Sequence, residues 1–274
     1  MITNNKLSKL NSQNNFLAYK GTNDKNVLFI GSCRITPIMF YFNQRFPEYN
    51  VYGIYVPYWT DTSKLSKNTM QKILHNTDLI ITESIKNFNI LNTDKTLENN
   101  FFNTFDTNAL QIKVSNLELH MYIHELVNIF NVSTENMSNY FEQSKEKLRS
   151  SLINKNQKFI WNFIEDHFQN LKLFTAHNHP TRILSILTFV KVANIIGCTL
   201  DFEFIKKISK HDFLEGNAKP ITQLDINRYN FTFNTKIFDN SVLEDKTFLY
   251  QPTEEEKTIS YSTIESMLCY IKQI

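Results

Sequence analysis

The first third of the chain alternates short apolar runs with stretches of helical spacing, and this alternation is the strongest constraint on the fold. Short continuous apolar runs are typical of strands that are buried on both faces of a parallel sheet. Strands of this kind are predicted at 27–30, 49–56 and 78–83, and helices at 35–42 and 66–75. This order predicts right-handed crossover units, so we expect an α/β fold with a parallel sheet flanked by helices.

The first predicted strand ends at Gly31 and is followed by Ser32, Cys33 and Arg34. Glycine permits a sharp change of chain direction, and Pro37 suits the first turn of the helix that follows. Cys33 is therefore expected at a helix N-terminus, where unpaired backbone N–H groups and the helix dipole favour a thiolate or a bound anion. Taken alone, this stretch is equally consistent with a small packed cysteine beside two unrelated polar residues.

Polar residues also end the third predicted strand. Ser32, Cys33 and Arg34 follow the first strand, and Thr82 and Glu83 end the third. Parallel sheets bind ligands at the carboxyl ends of their strands. We therefore expect a ligand site at this edge of the sheet.

The length of 274 residues is sufficient for one large α/β domain. Residues 1–25 are polar and rich in Asn, Ser and Lys, so we expect a tail without a core of its own. We predict a single domain over residues 26–274 with a helical insertion at about 117–171. The further predicted elements are helices at 117–130, 137–152, 159–171, 182–196, 201–210 and 258–274, and strands at 110–114, 172–174 and 230–234.

A second polar stretch, residues 175–181, lies between a short predicted strand and a strongly apolar helix. It contains His177 and His179, and the proline that follows His179 holds that residue in an extended conformation. Either Asn178 or Thr181 is expected to cap the helix. Functional groups are concentrated in loops of this kind, so both histidines are candidate site residues.

Together, the two stretches resemble the WcbI-like family of bacterial capsule-polysaccharide biosynthesis proteins. Members of that family have a first strand ending in Gly-Asn-Cys-Gln and a Phe-x-x-x-Asn-His-Pro loop that leads into an apolar helix. Residues 31–34 match the first motif with Ser for Asn and Arg for Gln, and residues 174–180 match the second closely. Glu83 takes a place usually held by Gln. The resemblance covers about residues 26–197.

The resemblance implies a Rossmann-like or SGNH-hydrolase-like fold that binds coenzyme A and transfers an acetyl group from acetyl-CoA to a carbohydrate. Under this hypothesis Cys33 is the nucleophile, and it needs a base within hydrogen-bond reach. His179 is the first choice for that base and His177 the second.

The remaining motif residues are then candidates for coenzyme A binding. The turn at Gly31 and Ser32 offers backbone donors to the developing oxyanion, and Arg34 can pair with a phosphate of coenzyme A. Glu83 is expected to orient the histidine or to bind a sugar hydroxyl. Asn178, beside the histidines, is included among the cofactor-binding candidates.

Two other classes of function remain open. The first is an SGNH-type esterase, in which Ser32 or Cys33 attacks an ester without coenzyme A. The second is a non-catalytic protein that binds coenzyme A or another ligand.

A metal centre is a weaker hypothesis. His177 and His179, together with His120 and His124, contain four imidazoles at spacings that zinc permits. No cysteine or carboxylate motif accompanies them, so we interpret them as solvated or core histidines and predict no metal.

Charge and apolar content restrict the partners. The net charge of +2 comes from scattered Lys and Arg residues, which argues against nucleic-acid binding. The three cysteines have no metal spacing, so a reducing compartment is expected. The longest apolar stretch, residues 183–196, is too short to span a membrane, and no signal peptide is evident. We expect a soluble, cytoplasmic protein without stable membrane insertion, and the sequence leaves the oligomeric state open.

Overall fold

The structure is a computed structural model, and it describes residues 17–55, 75–83, 108–211 and 218–272. The chain divides into two compact units, residues 1–114 and 115–274. Each unit is described by itself, and their folding as one domain over 26–274 stays a prediction. The helix predicted at 66–75 lies almost wholly outside the described residues.

The first unit is built on a five-stranded sheet, in the order β1 (Leu17–Tyr19), β3 (Asn50–Tyr55), β2 (Asn26–Gly31), β4 (Leu79–Glu83) and β5 (Leu110–Val114). The pairs β3–β2, β2–β4 and β4–β5 are parallel, and the pair β1–β3 is antiparallel. This confirms the predicted α/β class with a mainly parallel sheet. The elements of this unit are β1 (Leu17–Tyr19), β2 (Asn26–Gly31), helix α1 (Ile35–Arg45), β3 (Asn50–Tyr55), β4 (Leu79–Glu83) and β5 (Leu110–Val114).

The central strand β2 is buried on both faces, as its continuous apolar run predicts. Val27, Leu28 and Phe29 are fully buried. Helix α1 covers one face of the sheet, and the ring of Phe42 meets the ring of Phe29 edge to face at a centroid distance of 5.5 Å. Aromatic pairs of this geometry add to the stabilisation that comes from burial.

Part of the predicted N-terminal tail belongs to the sheet. Strand β1 pairs with β3, and the N–H of Gly21 donates to the Asn50 side chain at 2.9 Å. The N–H of Asn23 donates to the carbonyl of Glu48 at 3.1 Å. Hydrogen bonds from its backbone N–H groups therefore hold this segment beside the sheet. Such bonds need no apolar side chains, so the polar composition did not predict a strand.

The second unit is mainly helical. Its helix α5 (Arg182–Ile195) is buried on all sides. Nearly every residue from Arg182 to Ala193 is buried, as expected for a helix that is apolar all round. The elements are α2 (Ile123–Asn128), α3 (Met137–Asn154), α4 (Lys158–His167), β6 (Phe174–Ala176), β7 (His179–Pro180), α5 (Arg182–Ile195), α6 (Phe202–Ile208), β8 (Ile221–Thr222), α7 (Gln223–Tyr229), β9 (Ile237–Phe238), α8 (Glu254–Lys257) and α9 (Tyr261–Ile271). Strands β6 and β7 form an antiparallel pair, and β8 and β9 a parallel one.

The strand predicted at 172–174 lies two residues later, at Phe174–Ala176, and two further predicted elements differ more from the structure. The helix predicted at 117–130 begins only at Ile123, because the N–H of Leu119 donates to the carbonyl of His177 and the N–H of Ile123 to Asp225. The strand predicted at 230–234 is absent from this described segment, because Asn230 ends the preceding helix in a left-handed conformation and the N–H of Thr232 donates to the carbonyl of Gln169. In both cases tertiary contacts override the local pattern.

No helix within the described ranges has the length and apolar character needed to cross a bilayer.

Candidate functional site

The predicted site at the end of β2 is organised by the carboxylate of Glu83. Strands β2 and β4 are adjacent and in parallel register, with Ile30 opposite Thr82, so both strands end at the same edge. One oxygen of Glu83 accepts hydrogen bonds from the Ser32 N–H at 2.8 Å and the Ser32 hydroxyl at 2.7 Å. The other oxygen accepts from Nε of Arg34 at 2.5 Å. The Glu83 side chain is only 2% exposed, and its buried charge is balanced by the guanidinium of Arg34.

Gly31 makes this arrangement sterically possible. A Cβ atom at position 31 would lie 2.9 Å from Cβ of Ile35 and 3.0 Å from a carboxylate oxygen of Glu83. Real Cβ atoms do not approach other atoms so closely, so a larger residue would push the turn away from Glu83. The turn from β2 into α1 therefore needs glycine for space.

Cys33 is half-buried in this turn and immediately precedes Arg34, the N-cap residue of α1. Burial raises the pKa of the Cys33 thiol above its ordinary value of 9.0. The neighbouring Arg34 lowers the pKa and the Glu83 carboxylate raises it, and burial outweighs the lowering effects. Burial therefore acts against the thiolate that the helix-terminus argument favours, and the role of Cys33 as nucleophile stays a prediction.

Ser32 and Glu83 bind each other in the structure. The Ser32 N–H, expected among the oxyanion donors, donates to Glu83. The Glu83 carboxylate, expected to orient a histidine or to bind a sugar hydroxyl, accepts from Ser32 and pairs with Arg34, and these expected roles stay predictions. Both side chains shape the turn around Cys33.

In the second unit, His177 is held by a carboxylate that the sequence motifs did not indicate. Glu125, on α2, accepts the backbone N–H of His177 at 2.7 Å and lies 2.9 Å from its Nδ1. The Glu125 side chain is 1% exposed and that of His177 is 18% exposed. A carboxylate on Nδ1 fixes the proton there in the neutral ring, which leaves Nε2 as a proton acceptor. A glutamate within the apolar pattern of α2 was the only signal for this pair.

A second imidazole–carboxylate pair lies beside the first. Nε2 of His120 is 3.0 Å from the Glu118 carboxylate, and the His120 ring centroid is 5.1 Å from that of His177. The Phe130 ring contacts both imidazoles, at centroid distances of 4.4 and 5.1 Å. The surroundings of His177 are therefore partly apolar and partly open to solvent.

His179 and Asn178 have a different setting. His179 lies in β7 opposite Ala176, in the extended conformation predicted from the proline that follows. The His179 carbonyl accepts the Thr175 hydroxyl at 3.3 Å, and Asn178 lies in the turn between β6 and β7. Of the two predicted bases, the second choice, His177, pairs with the Glu125 carboxylate.

Thr181 occupies the N-cap position of α5, but its side chain makes no capping hydrogen bond. The predicted position of the cap is thus confirmed for Thr181, while its predicted hydrogen bond is absent from the described segment.

Three of the four histidines weighed as metal ligands have separate side-chain partners. Nε2 of His124 lies 2.7 Å from the carbonyl oxygen of Asp245, while His120 and His177 pair with different carboxylates. Among residues 17–55, 75–83, 108–211 and 218–272, no group of three or more His, Cys, Asp or Glu side chains is arranged to hold a metal ion.

No protein-family model matches the chain, and no curated protein matches it. Among solved structures the fold is similar to that of WcbI, which is described as a novel polysaccharide biosynthesis enzyme in its native form without a disulfide bond between coenzyme A and a cysteine. The match covers 91% of this chain and 90% of that one, with a TM-score of 0.54 and 12% sequence identity. At this identity the similarity shows a shared fold, which agrees with the WcbI-like fold expected from the motifs.

Proposed function

We propose that this chain binds acetyl-CoA and transfers its acyl group to a carbohydrate. The observation that carries the proposal is the fold shared, over nine-tenths of both chains, with a polysaccharide biosynthesis enzyme whose description names coenzyme A and a cysteine. Two features of this chain's own geometry support it: a cysteine at the carboxyl end of a parallel strand, and a histidine oriented by a buried carboxylate.

In this proposal His177 is the general base. Its Nε2 takes the proton from an acceptor hydroxyl as the hydroxyl oxygen attacks the thioester carbonyl carbon. The C–S bond then breaks, and the coenzyme A thiolate takes the proton from the imidazolium, so an ester and free coenzyme A are formed. Glu125 keeps the proton of His177 on Nδ1 and stabilises the imidazolium by its charge.

Cys33 is assigned to the binding of coenzyme A or, in a two-step route, to transient acylation. A thiol with a raised pKa is a poor nucleophile until a base removes its proton, so direct transfer is the favoured route. Gly31, Ser32, Arg34 and Glu83 are proposed to shape the coenzyme A site through the turn around Cys33.

Two further assignments complete the proposal. Asn178 contributes to coenzyme A binding from the turn between β6 and β7, and His179 stays a candidate for the base beside His177. We place the activity in the cytoplasm, where the three cysteines stay reduced.

The test is calorimetric titration of the protein with coenzyme A and acetyl-CoA, followed by an assay of free thiol release in the presence of carbohydrate acceptors. We expect micromolar binding that is weakened in Cys33→Ala. Turnover is expected to be lost in His177→Gln and retained in His179→Gln if His177 is the base. A folded protein that binds neither ligand would contradict the proposal.

The two alternatives separate from it in the same assays. An esterase would hydrolyse small acyl esters without coenzyme A, and this activity would depend on Ser32 or Cys33. A non-catalytic binding protein would bind coenzyme A without turnover in any variant.

A further inference from the structure

The second unit contains a cavity of about 180 Å³ that neither His177 nor His179 lines. Its lining includes Lys172, Thr181, Arg182, Lys257 and Ser260. These residues come from three parts of the unit: the segment just before β6, the N-terminal end of α5, and the end of α8 with the segment that follows it. The cavity is therefore distinct from the surroundings of His177, the proposed base.

The N-terminus of α5 opens into this cavity. Thr181, Arg182 and Ile183, the N-cap residue and the first two residues of a 14-residue helix, all belong to the lining. The first N–H groups of a helix have no partner within it, and here the N-cap side chain supplies none. Such a helix end attracts anions through its N–H groups and its dipole.

The side chain of Thr181 gives an independent indication of a ligand. Thr181 is 5% exposed, and its hydroxyl oxygen is buried without a hydrogen-bond partner among the described residues. Buried hydroxyl groups nearly always have a partner, so this hydroxyl is available to a bound molecule. Thr188, two turns along the same helix, shows the usual state: its hydroxyl donates to the carbonyl of Leu184 at 2.9 Å.

The charged residues of the lining also favour an anion. Lys172, Arg182 and Lys257 carry positive charges, and Glu255 and Glu256 carry negative ones. Glu256 is occupied by the protein itself: one of its oxygens accepts the Lys236 N–H at 3.0 Å, and the other accepts the Thr253 N–H at 2.8 Å. The positive groups also have partners: the Arg182 guanidinium donates to the carbonyls of Ser209 and Lys257 at 2.7 Å each, Nζ of Lys257 lies 3.4 Å from the Glu254 carboxylate, and Lys172 donates to the Tyr250 hydroxyl. The lining thus favours an anion only by its formal balance of three positive and two negative residues.

Glu255 and Asn234 supply hydrogen-bonding groups of another kind. They lie in the lining and are joined by a hydrogen bond of 3.0 Å, and both are exposed or half-exposed. A carboxylate and an amide of this kind hydrogen bond well to the hydroxyl groups of a small polar ligand.

We propose that this cavity binds the phosphate group of a small hydroxylated ligand, with the phosphate at the N-terminus of α5 and the Thr181 hydroxyl donating to it. The same phosphate chemistry is found in a sugar phosphate and in coenzyme A. The ligand that supplies the phosphate is the one whose binding is weakened by substitution of Thr181.

The test is calorimetric titration of the full chain with inorganic phosphate, glucose 1-phosphate and coenzyme A, in the wild type and in Thr181→Val and Thr188→Val. We expect saturable binding of glucose 1-phosphate, tighter than that of phosphate alone. Thr181→Val should weaken it about tenfold or more, because a hydrogen bond to a charged group is lost. Thr188→Val removes a hydroxyl of the same helix that already has a partner, so the affinity should be unchanged.

Thermal unfolding without ligand excludes a merely structural effect. Thr181→Val keeps the shape of the side chain and removes an unpartnered hydroxyl, so its Tm should equal or exceed that of the wild type. A weakened affinity with an undiminished Tm supports the site. Equal affinities in Thr181→Val and the wild type, or no saturable binding of any of the three probes, would overturn it.

The outcomes also separate this site from the proposed function. Acyl transfer that persists while none of the three probes depends on Thr181 for its binding would uphold the acyl transfer and overturn the phosphate site. Binding of glucose 1-phosphate that depends on Thr181, without any acyl transfer, would uphold the phosphate site and contradict the proposed acyl transfer. If only coenzyme A binding depends on Thr181, the site holds and its phosphate comes from coenzyme A.

Discussion

The carboxylate of Glu125 binds His177 at two points, the backbone N–H at 2.7 Å and the ring Nδ1 at 2.9 Å. The first contact fixes the position of the chain at residue 177, and the second fixes the ring. Together they fix both the backbone and the ring of His177.

Glu125→Gln should therefore disturb the tautomer of His177. An amide cannot accept from both the backbone N–H and Nδ1–H without turning its NH₂ group toward a donor, so one contact is lost. We expect ¹⁵N NMR of the imidazole to change from the Nδ1–H tautomer to a mixture. Under the proposed function, the turnover rate should fall about 10²- to 10⁴-fold, because the base is misoriented.

Glu118→Gln is the matched control for that change. It removes the carboxylate that pairs with His120, and it should leave the His177 ring signals unchanged. Equal effects of the two substitutions on His177 would show that Glu125 has no specific orienting role.

The reactivity of Cys33 should respond in opposite directions to its two charged neighbours. Glu83 raises the pKa of the thiol and Arg34 lowers it. Glu83→Gln should therefore increase the rate of alkylation by iodoacetamide at pH 8 several-fold, and Arg34→Gln should decrease it. The measurement needs a background with Cys198→Ser and Cys269→Ser, so that Cys33 is the only thiol. A change in the same direction for both variants would contradict the electrostatic account.

Gly31→Ala should destabilise the first unit. The added Cβ would overlap Ile35 and Glu83, which costs about 1–3 kcal/mol in the free energy of unfolding. Chemical denaturation measures this loss. Gly197→Asn is the control, because Gly197 has a φ of +78° with open space around it, and asparagine tolerates this conformation at a cost below about 1 kcal/mol. A Gly31→Ala protein as stable as the wild type would show that the turn has room to spare.

His124 should make stability depend on pH in the mildly acidic range. Burial lowers its pKa below 6.5, although its hydrogen bond to the Asp245 carbonyl acts in the opposite direction. The unfolded chain therefore takes up a proton at a higher pH than the folded chain, and the free energy of unfolding should fall as the pH drops from about 7 to 5. In His124→Asn this fall should be smaller. Identical pH profiles of the two proteins in urea denaturation would rule out His124 as its source.

The sequence was sufficient to predict the features that depend on local residue patterns. The apolar run of β2 and the polar ends of β2 and β4 predicted a parallel sheet and the meeting of Ser32, Arg34 and Glu83 at one edge. Strand register then determines the contact, since adjacent parallel strands end side by side.

The parts that could not be predicted depend on contacts between distant positions. Glu125 is 52 residues before His177, and no motif joins them. The pKa of Cys33 depends on how deeply the turn is buried, which the helix-terminus argument did not include. Residues 117–122 have helical spacing but give their backbone hydrogen bonds to other segments.

The short strand β1 has a consequence for how this protein behaves in a crowded solution. By pairing with β3 in the antiparallel sense, it occupies a row of backbone groups that would otherwise form the open border of the sheet. Unprotected borders of this kind recruit strands from other chains and start aggregation. The sheet now ends at β1 itself, and a strand of only three residues is a short template for a strand from another chain.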